Sequence, residues 1–334
     1  MLKLKVRLFF IAIFVSTFSM ISFTVSFAAN PIISYPYTAD PSPHQWSDGK
    51  YYMYCSHDKD TDVDWDMEDY HVFSSVDLVT WIDNGIAFRK TDSPFGKGAL
   101  WAPDCMYRNG MYYLYYPQNS VIGVATSSSP TGPFTNAKQL YSRTDAQYVY
   151  DPQIFVDDDG QAYLVVSACM KTGVFKPVIC RLGSDMMSIN EETILNINGG
   201  NFHEGPWMFK RDHIYYLSWG GGSCDYATST RLTGTYTHRG TICNQWRDVN
   251  GNLIRGEQQH PGIAYFSGQW YFTSAWGTPD NKRRQIFMQY LNFNADGTIQ
   301  FITPDMKGVK APDLSTAENL LLNHAKVDTK RRKN

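Results

Sequence analysis

One short pattern, a tight turn followed by an aromatic, β-prone run, occurs five times along the 334-residue chain at intervals of about 50 to 60 residues. The copies start at Ser47, Arg108, Asp158, Lys210 and Phe266, and each runs through about eight residues into a stretch such as Tyr51-Tyr52-Met53-Tyr54 or Tyr112-Tyr113-Leu114-Tyr115. Asp-Gly, Asn-Gly and Ser-Gly ahead of such a stretch signal hairpins, because glycine accepts the positive φ that tight turns require. Further strand-like runs lie between the copies, at 70–75 and 122–127 for example, with Gly-Pro and Ser-Pro punctuation and little helical periodicity. That makes about four strands per interval, the size of a propeller blade. The pattern predicts an all-β chain, a five-bladed β-propeller of four-stranded antiparallel blades around a central axis. A β-sandwich would not demand one hairpin recurring so regularly.

A second element keeps step with the first. Some eight to twelve residues before each aromatic strand stands a polar residue beside a proline: Asp40-Pro41, Pro103-Asp104, Asp151-Pro152, Glu204-Gly205-Pro206 and His260-Pro261. The first strand of each blade lines a propeller's channel, so residues equivalent by repeat converge on one axis. Four acidic residues and one histidine are therefore expected together. Clustered carboxylates disfavour one another's ionised forms, which is costly for stability and useful for dividing acid from base. Asp104, which follows its proline, is expected to be structural or substrate-contacting rather than a proton carrier. His260 reads equally as a channel histidine bridging strand ends.

The net charge of −2 gives no basic footprint for nucleic acid, and a neutral ligand fits better. The 22 tyrosines and 9 tryptophans suit sugar binding and a β-rich core alike. Residues 1–28 read as an export signal, with Lys3, Lys5 and Arg7 before an apolar stretch and a cut after Ala28. The competing reading is an uncleaved anchor; after cleavage no membrane association is expected. A catalytic domain over 29–312 and a tail over 313–334, basic at its end, complete the division. None of the six cysteines has zinc-site spacing, and most read as small buried residues in strands, with Cys169 and Cys180 the one pair close enough in sequence to suspect of a disulfide.

The ordered set Asp40-Pro41, Asp151-Pro152 and Glu204-Gly205-Pro206 resembles glycoside hydrolase family 43. Supporting matches are Asp69–Ser75 with Asp77–Trp81, Trp101-Ala102-Pro103-Asp104, Ser129–Phe134 and Gln259-His260-Pro261-Gly262, so the likeness runs from about Ser34 to Val309. The resemblance implies an inverting glycosidase with Asp40 as general base, Glu204 as general acid and Asp151 as the group that orients the acid and tunes its pKa. Inversion asks for an acid and a base about 6.5–9.5 Å apart. An ionised Asp151 would keep Glu204 protonated by repulsion.

The resemblance also implies that His260 neighbours a channel calcium, met through water because calcium prefers oxygen, while no cofactor is needed for the chemistry. Arg284 resembles an arginine that reaches the sugar, against a reading as part of a solvated hairpin. Trp101 and Phe202 are candidate pocket walls or blade-packing core. The acidic run from Asp58 to Asp69 is expected to be a solvated loop at the pocket mouth. The activity implied is that of a β-xylosidase or α-L-arabinofuranosidase on plant cell-wall polysaccharide, with an endo-arabinanase of the same fold and a noncatalytic sugar-binding propeller as alternatives.

Overall fold

The computed structural model describes residues 28–60, 65–96, 98–248, 250–254, 260–277 and 282–312. The predicted export segment and the basic tail therefore lie outside the described residues, as does Gln259. Ala28, where the expected cut falls, is buried, and its amide donates to the Val309 carbonyl. No helix among the described residues is long and apolar enough to cross a membrane.

Five small sheets follow one another along the chain as the five blades of a β-propeller. Blade 1 comprises β1 (Thr38–Gln45), β2 (Tyr51–His57), β3 (Asp69–Ser75) and β4 (Ile82–Arg89). Blade 2 comprises β5 (Asp104–Arg108), β6 (Met111–Gln118), β7 (Val121–Ser127) and β8 (Thr135–Tyr141). Blade 3 comprises β9 (Ala146–Val156), β10 (Ala162–Met170), β11 (Phe175–Leu182) and β12 (Ile189–Ile194). After a short β13 (Asn196–Asn198), blade 4 contains β14 (Glu204–Arg211), β15 (Ile214–Gly220), β16 (Cys224–Ser229) and β17 (Thr235–Cys243). Blade 5 contains β18 (Gly262–Phe266), β19 (Gln269–Trp276) and β20 (Gln285–Tyr290).

The recurring turns join the first two strands of each blade. Between Arg108 and Met111, and between Phe266 and Gln269, the loop is two residues long and both have positive φ, the geometry that matches the twist of antiparallel strands. The aromatic run that follows is each blade's second strand, and its alternate residues serve two different cores. In β2, Tyr51, Met53 and Cys55 face Tyr271 and Met288 of blade 5, whereas Tyr52 and Tyr54 face Leu114 and Tyr116 of blade 2. In β15, Tyr216 packs with blade 5 residues, and Leu217 and Trp219 with blade 3 residues. Because both faces of these strands are covered, they read as nearly unbroken apolar runs.

Two blades depart from the expected four strands. In blade 4, β13 leaves blade 3 and adds a parallel fifth strand on the outer edge of β17. An exposed edge is a pairing hazard, and the extra strand covers it. Among the described residues blade 5 has three strands of its own, and its outer edge is met from the other end of the chain. Ile32 and Ile33 donate to the Ile286 carbonyl, Ile286 donates back to Ile33, and the Asn30 side chain brackets Met288 by donating to its carbonyl and accepting from its amide. This contact closes the ring.

The cysteines are all buried thiols. Cys169 and Cys180 do not pair: Cys169 stands opposite Phe175, and Cys180 opposite Leu164, too far apart along the β10–β11 ladder for a bridge.

Candidate active site

The inner strands β1, β9 and β14 share an irregularity. Antiparallel register slips between Ala39 and Ser42 in β1, beside Tyr150 and Gln153 in β9, and between Glu204 and Trp207 in β14. At each slip the residue before a proline has left-handed backbone: Asp40 at φ 54°, Asp151 at φ 54° and Gly205 at φ 60°. A bulge of this kind re-aims a side chain, here toward the axis. By backbone geometry Gly205, not Glu204, is thus the equivalent of Asp40 and Asp151. Glu204 stands one residue earlier, and its side chain is 18% exposed where those of Asp40 and Asp151 are 5% and 4%.

All three carboxyl groups line one pocket of about 410 Å³. His260 and Arg284 line it too, with Trp65, Met67, Trp101, Tyr148, Tyr150, Cys169, Phe175 and His203. Trp101 donates from its indole to the Trp65 carbonyl and accepts at its own carbonyl from the Tyr70 hydroxyl, so two flat walls are pinned together. Phe202 is not among the lining residues. It packs against Trp219 and Leu195 in the core between blades 3 and 4, and Phe175 from β11 supplies the aromatic wall instead.

Asp40 accepts from the Ser56 hydroxyl at 2.5 Å through one oxygen. Its other oxygen faces the Arg284 guanidinium at 3.5 Å and the His260 imidazole at 3.7 Å. Arg284 is 2% exposed, far from a solvated hairpin, and is gripped by Asp58 at 2.7 and 3.0 Å while lying over the Trp65 ring at 4.7 Å. Burial works against its charge, but Asp58 and Asp40 outweigh that and raise its pKa further. The acidic run is accordingly no uniform solvated loop. Burial raises Asp58, yet Arg284 more than reverses this and holds it below the usual carboxylate range. Asp69 is buried in β3. Among the described residues of the run, Asp60, Asp66 and Glu68 reach solvent: Tyr35 donates to Asp60, and Lys59 and Lys90 pair with Asp66 and Glu68.

Asp151 accepts from the Gly205 amide at 2.9 Å and so fixes the backbone that carries Glu204. Burial pushes its carboxyl up to about 7, with His260 pulling it down and Glu204 adding to the rise. Loss of water penalises the charge of this deep carboxyl more than any neighbour does. Burial pulls His260 down, but Asp151, Asp40 and Glu204 together lift it above its ordinary value.

Asp104 lies outside the pocket and is wholly buried. It accepts from Ser42 at 2.5 Å, from its own strand's Cys105 amide at 2.7 Å and from the Ile154 amide at 2.5 Å, and it meets the His44 imidazole at 2.7 Å. Below the carboxylates, one proline from each blade, Pro41, Pro103, Pro152, Pro206 and Pro261, surrounds a space of about 20 Å³. That space admits about one water. Calcium takes six to eight oxygens. Oxygens of Asp151 and Glu204 lie within 4.8 Å of a His260 nitrogen and of one another, on the pocket side of the prolines. The residues therefore fit calcium only as a largely hydrated ion beside His260.

Residues 28–299 match the family model described as glycosyl hydrolases family 43. A xylosidase/arabinosidase of Humicola insolens is 32% identical over 300 residues, covering 72% of this chain and 88% of its own. A xylosidase/arabinosidase of Bacteroides ovatus is 29% identical and is covered over 94% of its length. Among solved structures, a family-43 β-xylosidase/α-arabinofuranosidase from a compost microbial metagenome, in complex with xylotriose and calcium-free, superposes with a TM-score of 0.70 at 31% identity, over 84% of this chain and 99% of that one. A family-43 enzyme of Xanthomonas citri complexed with xylose gives 0.71 at 30%, over 83% and 94%.

Proposed function

The chain belongs to the glycosyl hydrolases of family 43, and from that membership and the chemistry of the pocket we infer an inverting β-xylosidase or α-L-arabinofuranosidase, acting on plant cell-wall polysaccharide or oligosaccharides cut from it. The observation that carries this reading is the meeting of Asp40, Asp151 and Glu204, from three different blades, in one aromatic-walled pocket of about 410 Å³. Flat rings such as Trp101 and Trp65 suit the apolar faces of a sugar, and Arg284 offers it charged donors. A noncatalytic sugar-binding propeller would have no use for three carboxyl groups held together at such electrostatic cost.

In this reading Asp40, oriented by Ser56, takes a proton from the water that attacks the anomeric carbon. Glu204, the most exposed of the three, gives a proton to the departing oxygen as the glycosidic bond breaks. Asp151, whose carboxyl burial raises to about 7, accepts from the Gly205 amide and so orients the backbone that carries Glu204. Inversion follows because water and leaving group occupy opposite faces of the ring. Calcium enters only as a structural ion beside His260, held through water. The basic and apolar run at residues 1–28 supports export.

Leaving-group chemistry tests the assignment. A natural sugar leaves as a basic alkoxide and needs the proton, whereas dinitrophenolate leaves with little help. Glu204→Gln should lose about 10²–10⁴-fold in kcat/KM on xylo- or arabino-oligosaccharides and far less on the dinitrophenyl glycoside of the same sugar. Equal losses in a protein with unchanged Tm would remove Glu204 from the acid's role.

A further inference from the structure

Outside the catalytic pocket, strands β2, β3 and β4 of blade 1 gather two imidazoles and two carboxylates. Asp69 and His71 lie two apart in β3, so their side chains share one face of the blade. His57 ends β2 one step beyond the paired Ser56 and Tyr70, which brings it alongside Asp69. The His57 Nδ1 is 2.7 Å from Asp69 Oδ1, and the His71 Nε2 is 3.8 Å from that same oxygen. One ligand atom from each of the three residues lies within 4.8 Å of the other two.

A simple hydrogen-bond network does not account for His71. Its Nδ1 meets both oxygens of Asp83 in β4, at 3.0 and 3.1 Å, and a carboxylate at that position fixes the proton on Nδ1. The lone pair is then on Nε2. That atom faces Asp69 Oδ1 from 3.8 Å, beyond hydrogen-bond reach, while the same oxygen hydrogen-bonds to His57 Nδ1 at 2.7 Å, so a cation taken up here would replace the His57 proton and draw all three donors to itself. A carboxylate holding the far nitrogen of an imidazole is how metal-bound histidines are oriented. Arg89 sits 3.7 Å from the other Asp69 oxygen, so it neutralises the oxygen that faces away from the two imidazoles.

We propose that His57, Asp69 and His71, with Asp83 orienting His71, form a second metal site that takes a zinc-class divalent ion. Two nitrogens and one carboxylate oxygen suit an ion that prefers four ligands and accepts imidazole, with water in the fourth position. Calcium, which wants six to eight oxygens, is excluded by the same donor set. The side chain of His57 is 26% exposed and opens a route from solvent. None of the four residues lines the sugar pocket, yet His57 precedes Asp58, the residue that grips Arg284. The ion would tie β2 to β3 and, through Asp83, to β4.

The test uses the full chain after chelator treatment, titrated with zinc alone and followed by metal content after gel filtration and by Tm. Wild type and His260→Ala should each retain one zinc per chain and melt higher with it, since an ion that binds only the folded state stabilises it by mass action. His57→Gln and His71→Ala should lose the ion, and Asp83→Asn should weaken it by about 10–100-fold. Calcium should produce no such rise through this site. His57→Gln, at the exposed ligand, decides the matter if His71→Ala does not fold. Folded wild type without stoichiometric zinc, or zinc lost from His260→Ala but kept by His57→Gln, would overturn the proposal.

Discussion

The inner strands of blades 1 and 2 use the same two residues in opposite order, and the order decides what the carboxylate does. In β1, Asp40 precedes Pro41, takes a left-handed backbone, slips the register and presents its carboxyl to the pocket. In β5, Asp104 follows Pro103, the ladder runs unbroken from Asp104 opposite Tyr115 to Arg108 opposite Met111, and the carboxyl is sealed among donors from blades 1, 2 and 3. A left-handed residue costs roughly 1–2 kcal/mol, and the position before a proline is restricted further. Such strain persists where a side chain must be aimed for function. Asp104 carries none of it and acts as a crosslink. Glu204 shows a third arrangement: glycine takes the left-handed place at little steric cost, and the acid stands one residue upstream, nearer solvent.

The comparison breaks most sharply at Asp40. Asp40→Asn should leave Tm and sugar binding near wild type and lower kcat on a natural oligosaccharide by about 10²–10⁴-fold, because an amide cannot take the proton of the attacking water. Near-normal turnover would show that the bulge aims a bystander. Asp104→Asn should do the reverse. Its amide group would confront a donor, Ser42 or Ile154, so stability should fall by about 1–3 kcal/mol while the folded fraction keeps its kcat. A lost kcat at unchanged Tm would place Asp104 with the reacting groups and dissolve the contrast.

A third effect, one of pH, concerns Asp151 and sharpens the difference between aimed and sealed carboxyls. Burial raises its folded-state pKa to about 7, above that of an unfolded aspartate, so the folded chain binds the extra proton. Its contribution to stability is therefore complete below about pH 4 and is lost as the pH rises toward about 7. Melting curves of wild type and Asp151→Asn across that window should show the wild type declining relative to the variant. Parallel curves would mean that Asp151 holds no such proton.

Much of this was legible in the sequence, for a physical reason. Propeller blades repeat, and both faces of their second strands are buried, so Tyr51–Tyr54 and its four counterparts carry the fold as a visible pattern. Asp40, Asp151 and Glu204 came into view because repeat position stands for closeness to the axis. What repetition does not encode stayed hidden. Phe202 and Phe175 are equally aromatic, and only the packing of blade 3 on blade 4 sends one to the core and the other to the pocket. The grip of Asp58 on Arg284 joins residues 226 positions apart in unlike contexts. The one-residue offset of Glu204 was masked by the shared proline, and only the left-handed Gly205 reveals it.

The seam where Asn30, Ile32 and Ile33 meet β20 also has a consequence in time. Each blade is local in sequence and can pair its strands as soon as they exist, whereas the Asn30–Met288 contact spans 258 positions. Contacts so distant form slowly, and chains are made from the amino terminus onward. Blades 1 to 4 can therefore be in place while the ring is still an open arc, with the faces of Tyr51 and Met53 uncovered until Tyr271 and Met288 arrive. The last stretch of the described chain to be made completes the assembly, and until then the pocket lacks Arg284 and His260 as well as its structural closure. Maturation of the catalytic centre and completion of the ring are one event.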